Sequence, residues 1–338
     1  LPFEEYFTIY LMKKQSDRAT LEAMKGFQRL IFLSILGTYL VILAGAVVRG
    51  TGSGLGCPDW PRCFGQWVPP MDISELSDNY KDIYKIAGKT IADFDPFKTW
   101  TEYVNRLLGV VLGFLIVLLF GVSFKMKTYE RNIPWFCGGL LVLILVQGGV
   151  GALVVSSHLQ PFIITIHMFL AILLLFGLLY LRKYCEDLED TSIVQKVDGK
   201  GLVITRVLVG LTFFQVLLGT QVRQQVDHFM RDTLEANAAT IIGFLGPIFY
   251  VHRTFSIVIV LLFLYLLFHF HRHRFNRGAF FLALMALMSV VGNIATGIIL
   301  NYFGFPANAQ PPHLFFGVLA LGFLYTLSLN LRGTLLDD

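Results

Sequence analysis

Glu102-Tyr103-Val104-Asn105-Arg106 is written a second time as Phe249-Tyr250-Val251-His252-Arg253, and each copy opens a long apolar run, Leu107 to Phe120 after the first and Phe255 to Phe268 after the second. Internal similarity of this kind comes before any choice of fold, because it makes the chain two related units. The copies also differ. His252 stands where the first copy has Asn105, and Phe249 where it has Glu102. The two halves are therefore expected to share an architecture and to divide a task.

Working outward, the 338 residues are 55% hydrophobic and 15% charged, with a mean hydropathy of +0.65. An ordinary soluble domain is about 25% charged, so the chain belongs in a bilayer. Its net charge of +4 is spread over loops and speaks for membrane topology, not for nucleic-acid binding. Residues 1–26 mix Glu4, Glu5, Lys13, Lys14 and Arg18 with apolar residues. They lack the basic, apolar, small order of a signal peptide and read as a cytoplasmic tail, an amphipathic helix at the surface.

Eight apolar runs can cross a hydrocarbon core of about 30 Å, which takes about 20 helical residues. They are Phe27 to Val48, Leu107 to Phe124, Ile133 to Val155, Phe162 to Leu181, Leu202 to Val222, Val251 to His269, Ala279 to Leu300 and His313 to Leu331. In lipid each must satisfy its own backbone hydrogen bonds, and the alternation of barrel strands is absent. The expected fold is an all-α integral membrane protein of eight transmembrane helices.

Lys125, Lys127, Arg131, Arg182, Lys183, Arg272, Arg274, Arg277 and Arg332 fall on the side of the basic N-terminal tail, which makes that side, and both termini, cytoplasmic. The first span ends Gly45-Ala46-Val47-Val48-Arg49 and the fifth Gly219-Thr220-Gln221-Val222-Arg223; His167 in the fourth answers His313 in the eighth. An even number of spans per half makes the halves parallel repeats. The expected division is a tail over 1–26, a first four-helix half over 27–181, a cytoplasmic linker over 182–201, a second half over 202–331 and a tail over 332–338.

His167, His252 and His313 all lie toward the outer ends of their spans, and a buried histidine in lipid needs a reason. Two neutral imidazoles on facing helices can hold a haem iron axially, and small residues nearby let a flat macrocycle approach the backbone. His252 and His313 form such a pair; the competing reading is of interfacial polar residues bonded to helix ends. Arg49, Arg106, Arg223 and Arg253 sit at matched outer positions, where guanidinium would suit haem propionates or simply snorkel to water. The glycines of the third and seventh spans would serve helix packing with or without a ligand.

The segment Arg49-Gly-Thr-Gly-Ser-Gly-Leu-Gly-Cys-Pro-Asp-Trp-Pro-Arg-Cys-Phe-Gly, the Glu-Tyr-x-x-Arg opening of the second span and the repeated four-helix halves together resemble haem A synthase, over nearly the whole chain. The resemblance implies that the second half holds a b-type haem for electron transfer. It implies that the first half binds haem O and oxidises its C8 methyl group to a formyl group for cytochrome oxidase. Carried over, His252 and His313 are the cofactor's iron ligands, His167 a substrate-haem ligand and Glu102 the catalytic carboxylate. Arg223 and Arg253 go with the cofactor, and Arg49, Arg106 and Asn105 with the substrate haem. The family commonly has a second histidine where this chain has Asn105, so its bis-histidine coordination does not carry over. A water on Asn105, the loop residue His158 or a five-coordinate iron would take its place.

Glu102 would otherwise cap its helix, but a cap needed in both halves would not be replaced by Phe249. A group needed only where a methyl is oxidised would serve as a base or as a stabiliser of developing positive charge. Cys57 and Cys63 lie in an outer, oxidising loop and are expected to form a disulfide, with Cys137 and Cys185 free; zinc would need ligands that loop lacks. Ile73, Leu76, Tyr80, Ile83 and Tyr84, and more loosely Phe229, Leu234 and Ile241, suggest short helices over the outer face. His269, His271 and His273 read as an interface anchor. The implied setting is the bacterial cytoplasmic membrane, with haem O, haem O synthase, oxidase assembly factors and lipid as partners, and it is compatible with a homo-oligomer. A non-catalytic b-type cytochrome and a haem carrier are the rival functions.

Overall fold

Asp95 and Pro96 show why the second span starts earlier than its apolar run. The Asp95 carboxylate accepts from Lys98 N at 3.2 Å and Pro96 takes the first helical position, the two strongest local signals for a helix start. In the computed structural model residues 3–86, 88–189, 198–232, 238–273 and 277–331 are described. Arg274, Arg332, Leu234, positions 190–197 of the linker and the tail over 332–338 lie outside them. The helices are α1 (Phe3–Gly50), α2 (Tyr80–Ile83), α3 (Pro96–Ser123), α4 (Ile133–Ser156), α5 (Pro161–Glu189), α6 (Gly199–Asp232), α7 (Ala238–Phe244), α8 (Pro247–Arg272), α9 (Arg277–Tyr302) and α10 (Gln310–Asn330). Eight of them, all but α2 and α7, are long and apolar enough to cross a membrane. Among the described residues β-structure is limited to two isolated bridges. The chain is an all-helical, multi-pass membrane protein.

The helices outrun their apolar segments. The N-terminal tail and the first span are one unbroken helix, α1, where a separate surface helix was expected. α5 continues to Glu189, with Arg182 paired to Glu186 at 2.9 Å and Lys183 to Asp187 at 2.5 Å, spacings that put opposite charges on one helical face. The linker expected over 182–201 is correspondingly shorter. α6 continues to Asp232 and α7 follows, so the segment between the fifth and sixth apolar runs is largely helical. Phe229 and Ile241 there pack with Val222, Val226, Leu245 and Phe249.

One large apolar cluster draws on α1, α3, α4 and α5, with Phe27, Ile31, Ile116, Leu119, Leu174 and Leu175 at its centre. Another draws on α6, α8, α9 and α10, through Leu208, Phe263, Leu266, Ala283, Ala286 and Leu324. α10 bridges them: Leu321 meets Ile172 and Val216, and Tyr325 stacks on Phe176 at 4.1 Å. At one end of the bundle Gly50 is pressed against the Ala307 carbonyl, which a Cβ there would approach to 2.9 Å. Gln224 Nε2 donates to Pro161 O at 3.3 Å at the same end. The loop between α1 and α3 caps this end, called the loop end below.

The histidines after α8's apolar run are not a uniform anchor. His271 and His273 are exposed, but His269 is buried and its Nε2 lies 2.9 Å from Asp198 Oδ2. His271, two residues on, points to nearly the opposite side of the helix, whereas His273 lies on the side of His269, ring centres 4.7 Å apart, and is exposed because the helix ends at Arg272. Asp198 also accepts from Gly201 N at 3.0 Å, which ties the start of α6 to the end of α8.

Candidate functional site

Three glycines near the loop end face imidazole rings. A Cβ on Gly151 would lie 3.2 Å from His167 Cε1, one on Gly219 3.3 Å from His252 Cε1, and one on Gly297 3.1 Å from His313 Cε1. Each contact is tighter than ordinary van der Waals spacing, so glycine is what leaves room for the ring. One turn before each glycine on the same helix stands a side-chain amide that donates to the carbonyl of that histidine. Gln147 Nε2 reaches His167 O at 3.0 Å, Gln215 Nε2 reaches His252 O at 2.7 Å, and Asn293 Nδ2 bonds His313 O. Such a bond draws on a backbone acceptor already used within the helix, which has a second lone pair free. It fixes the two helices in register where the ring projects. In the sequence Gln147 and Asn293 stand in the matched stretches of the third and seventh spans, but no role was read for them or for Gln215; the signal was their constant spacing of four residues before the glycine.

The fourth member of the series is different in kind. Gly45 of α1 faces Asn105 of α3, whose Oδ1 would lie 3.8 Å from a Cβ there, and Val41 occupies the position of the amide. Asn105 Oδ1 is buried and has no hydrogen-bond partner among the described residues. A buried orphan acceptor is costly, by about 1–3 kcal/mol, and points to a group that completes it. His158, the other loop-end candidate, has a left-handed backbone, φ 57°, next to Leu159 at φ 59°, and Leu159 packs on Gly54.

His252 and His313 are brought together. Their ring centres are 6.3 Å apart and their planes cross at 72°. His313 Nδ1 contacts Asn293 O at 2.8 Å and Thr296 Oγ1 at 3.2 Å; donation to that carbonyl leaves Nε2 with a free lone pair. The Nδ1 atoms of His252 and His167 are buried with no partner among the described residues.

Glu102 does not cap α3, since Asp95 does. It lies within the helix, 3% exposed, with Oε2 accepting from Cys57 N at 3.0 Å and Oε1 from Arg106 Nη2 at 2.6 Å. Arg106 in turn donates to Asp59 O at 2.7 Å, Arg62 O at 3.0 Å and Cys57 O at 3.0 Å. Cys57 and Cys63 are joined by a disulfide, while Cys137 and Cys185 are buried free thiols. The loop closes over this clamp around Phe64, whose ring meets Tyr84 at 5.5 Å and Phe94 at 5.7 Å. In this loop Tyr80 is buried but Ile73 and Ile83 are exposed, so the expected apolar stripe is only partly realised.

The four arginines separate. Arg49 and Arg223, read above as serving different halves, share one carboxylate: Asp227 lies 3.1 Å from Arg49 Nη2 and 2.7 Å from Arg223 Nη2. Both Nε atoms are buried without a partner among the described residues. Arg106 is engaged by the loop. Arg253 lies over the rings of Phe249 and Tyr250, at 5.7 and 5.6 Å.

The model of the COX15-CtaA family, cytochrome oxidase assembly proteins, matches residues 28–325, most of the chain and every helix of this site. The chain belongs to that family. Among curated relatives it is 34% identical to the Heme A synthase of Shewanella oneidensis over 196 residues, 56% of this chain and 54% of the relative. It is 30% identical to the Heme A synthase of Cereibacter sphaeroides over 227 residues, 61% and 56% of the two chains. It is 34% identical to that of Methylorubrum extorquens over 204 residues, 56% and 52%. The chain thus spans about half the length of the curated relatives it matches. Within this COX15-CtaA member the Gly45–Asn105 place is the one departure from an otherwise constant set of imidazoles.

Proposed function

We propose that the chain is a haem A synthase of the bacterial cytoplasmic membrane, oxidising the C8 methyl group of haem O to a formyl group in its first half and passing electrons through a b-type haem in its second. The observation that carries this reading is the amide, glycine and imidazole series, present three times and altered at its fourth place, where Gly45 is kept but Val41 stands for the amide and Asn105 for the imidazole. A chain that only stored or moved electrons has no use for one unlike site.

In the second half His252 and His313 would hold the cofactor. Their ring centres are 6.3 Å apart, and each would offer one imidazole nitrogen to the haem iron. The Asn293 carbonyl fixes the His313 tautomer, and Gly219 and Gly297 leave the rings their room. That haem would supply one-electron redox chemistry. Arg223 and Arg253 would stand at its carboxylate edge.

In the first half His167 would bind the iron of the substrate haem, with Asn105 opposite and Arg49, whose Nε has no partner among the described residues, toward the propionates; Arg106, expected from the resemblance to join it there, is taken up by Glu102 and the loop carbonyls. Taking a methyl to a formyl group adds the oxygen of one water and releases four protons and four electrons, the electrons passing on to an oxidant outside the chain; Glu102 would take up protons as they are released. It lies one turn before Asn105 on the same face of α3, and Phe249 stands in its place in the other half. Arg106 holds its carboxylate in one rotamer and the Cys57–Cys63 loop excludes water above it. The parallel-repeat relation of 27–181 and 202–331, the cytoplasmic tails and linker and the outer placement of the loop end belong to the same reading. They rest on the matched Arg49 and Arg223, on Asn105 and His252 in equivalent registers and on the distribution of Lys and Arg.

Expression of the full chain with a source of haem O, followed by pigment extraction, tests this. Formyl-haem supports the synthase. Unchanged haem O would mean a carrier, and protohaem alone with redox activity a cytochrome.

A further inference from the structure

An open apolar groove of 210 Å³ runs along the seam of α1 and α3, bounded by Leu36, Gly37 and Leu40 on one side and Leu108, Val111 and Leu112 on the other. It starts within about one to two turns of Gly45 and Asn105, at Leu40 and Leu108, and leads away from the loop end to Leu33 and Leu115, about 10 Å at 1.5 Å per residue. Its floor is Leu112, 3% exposed, and its outer lip is Leu36 and Leu40, 45% and 46% exposed.

The same seam in the second half is built differently. Counting from the equivalent Gly219 and His252, Gly37 becomes Leu211, Leu40 becomes Phe214 and Leu108 becomes Phe255. Phe214 and Phe255 pack edge to face with ring centres 6.0 Å apart, which fills the place where the first half is hollow. Leu36 becomes Gly210, which has open space around it and provides no lip. The floor registers agree, Ile259 answering Leu112 with the same 3% exposure, so the difference is one of filling and not of helix placement.

We infer that the α1–α3 seam seats the isoprenoid tail of the substrate haem, a proposal that rests on the synthase reading. Haem O carries a long isoprenoid chain and protohaem carries none, which matches a hollow seam beside the Asn105 place and a plugged one beside His252. The tail leaves the macrocycle on the side away from its propionates. The seam lies on the side of Gly45 away from Arg49, so propionates toward arginine and tail into the seam are met by a single orientation. The seam thereby fixes which methyl group is turned toward Glu102. Lipid chains compete for any apolar groove, so its contribution is a difference in packing and not the hydrophobic effect of water exclusion.

The test uses the full chain in nanodiscs, titrated separately with haem O and with protohaem, counting as first-half binding the optical signal that His167→Ala abolishes. Two variants import the second half's own solutions, Leu40→Phe with Leu108→Phe to fill the seam and Leu36→Gly to remove its lip. Both should weaken haem O binding by roughly three- to tenfold, the scale of a packing difference in lipid, and leave protohaem binding unchanged. Haem O bound equally by wild type and both variants overturns the seam assignment alone, as does an equal loss for both haems. A wild type that takes up protohaem in the first half but no haem O overturns the seam and the synthase reading together.

Discussion

Glu102 and Arg106 stand one turn apart on α3, 2.6 Å between Oε1 and Nη2, and between them they hold the N–H of Cys57 and the carbonyls of Cys57, Asp59 and Arg62. A carboxylate proposed for chemistry is therefore also a strut of the loop that covers it. Arg106→Ala removes the donors of three carbonyls at a cost of about 1–3 kcal/mol each if they stay buried. The amides of residues 57–66 should then exchange about ten- to a hundredfold faster, while those of α9 and α10 keep their protection. Hydrogen exchange resolved by peptide measures both.

The glycines give a sharper contrast. Gly219→Leu places a side chain into the His252 ring, whereas Gly210→Leu points into open space on the same helix. The low-spin b-type spectrum should be lost in the first and kept in the second. Loss in both would mean that α6 needs small residues merely to pack.

Asn105→His should give the first-half iron a strong second ligand and shift its spectrum toward low spin. Adding Val41→Gln supplies the missing amide one turn before Gly45 and should tighten that site further, as Gln215 does for His252. An optical titration of the single and the double variant separates ligand from register. A double variant no tighter than the single would leave the amide with no part in positioning the ring.

What the sequence made legible was set by lipid. Eight runs of sufficient length were visible because the bilayer demands them, and the doubled Tyr-Val-x-Arg stretch put Asn105 and His252 in matching register. Helix ends were misjudged where polar side chains are satisfied by neighbours: Thr99, Trp100 and Tyr103 bond the Gly56, Pro70 and Trp67 carbonyls, which lets α3 begin at Pro96. Asp227, which ties Arg49 to Arg223, sat in a stretch read as loop. His269 was grouped with His271 and His273 because composition shows a cluster but not which member turns toward Asp198. The role of Gln147, Gln215 and Asn293 was not read because a donor to a helix carbonyl leaves no compositional trace, only a spacing.

Cys57 and Cys63 should resist alkylation in untreated protein, and Cys137 and Cys185 should react only after unfolding, since both are buried. Reduction should then expose two further thiols, counted by mass spectrometry of peptides. A free Cys57 in untreated protein would contradict the pairing.

Glu102→Gln tests the proposed division of labour between the halves most directly. The amide keeps an oxygen to accept from Cys57 N, so the loop stays closed, but the carboxylate is gone. Formyl-haem production should fall by at least about a hundredfold, in the range typical of a lost general base, with the low-spin spectrum of His252 and His313 unchanged. Normal haem A output would reduce Glu102 to a strut of the Cys57–Cys63 loop, and a simultaneous loss of the b-type spectrum would contradict the separation of the two halves.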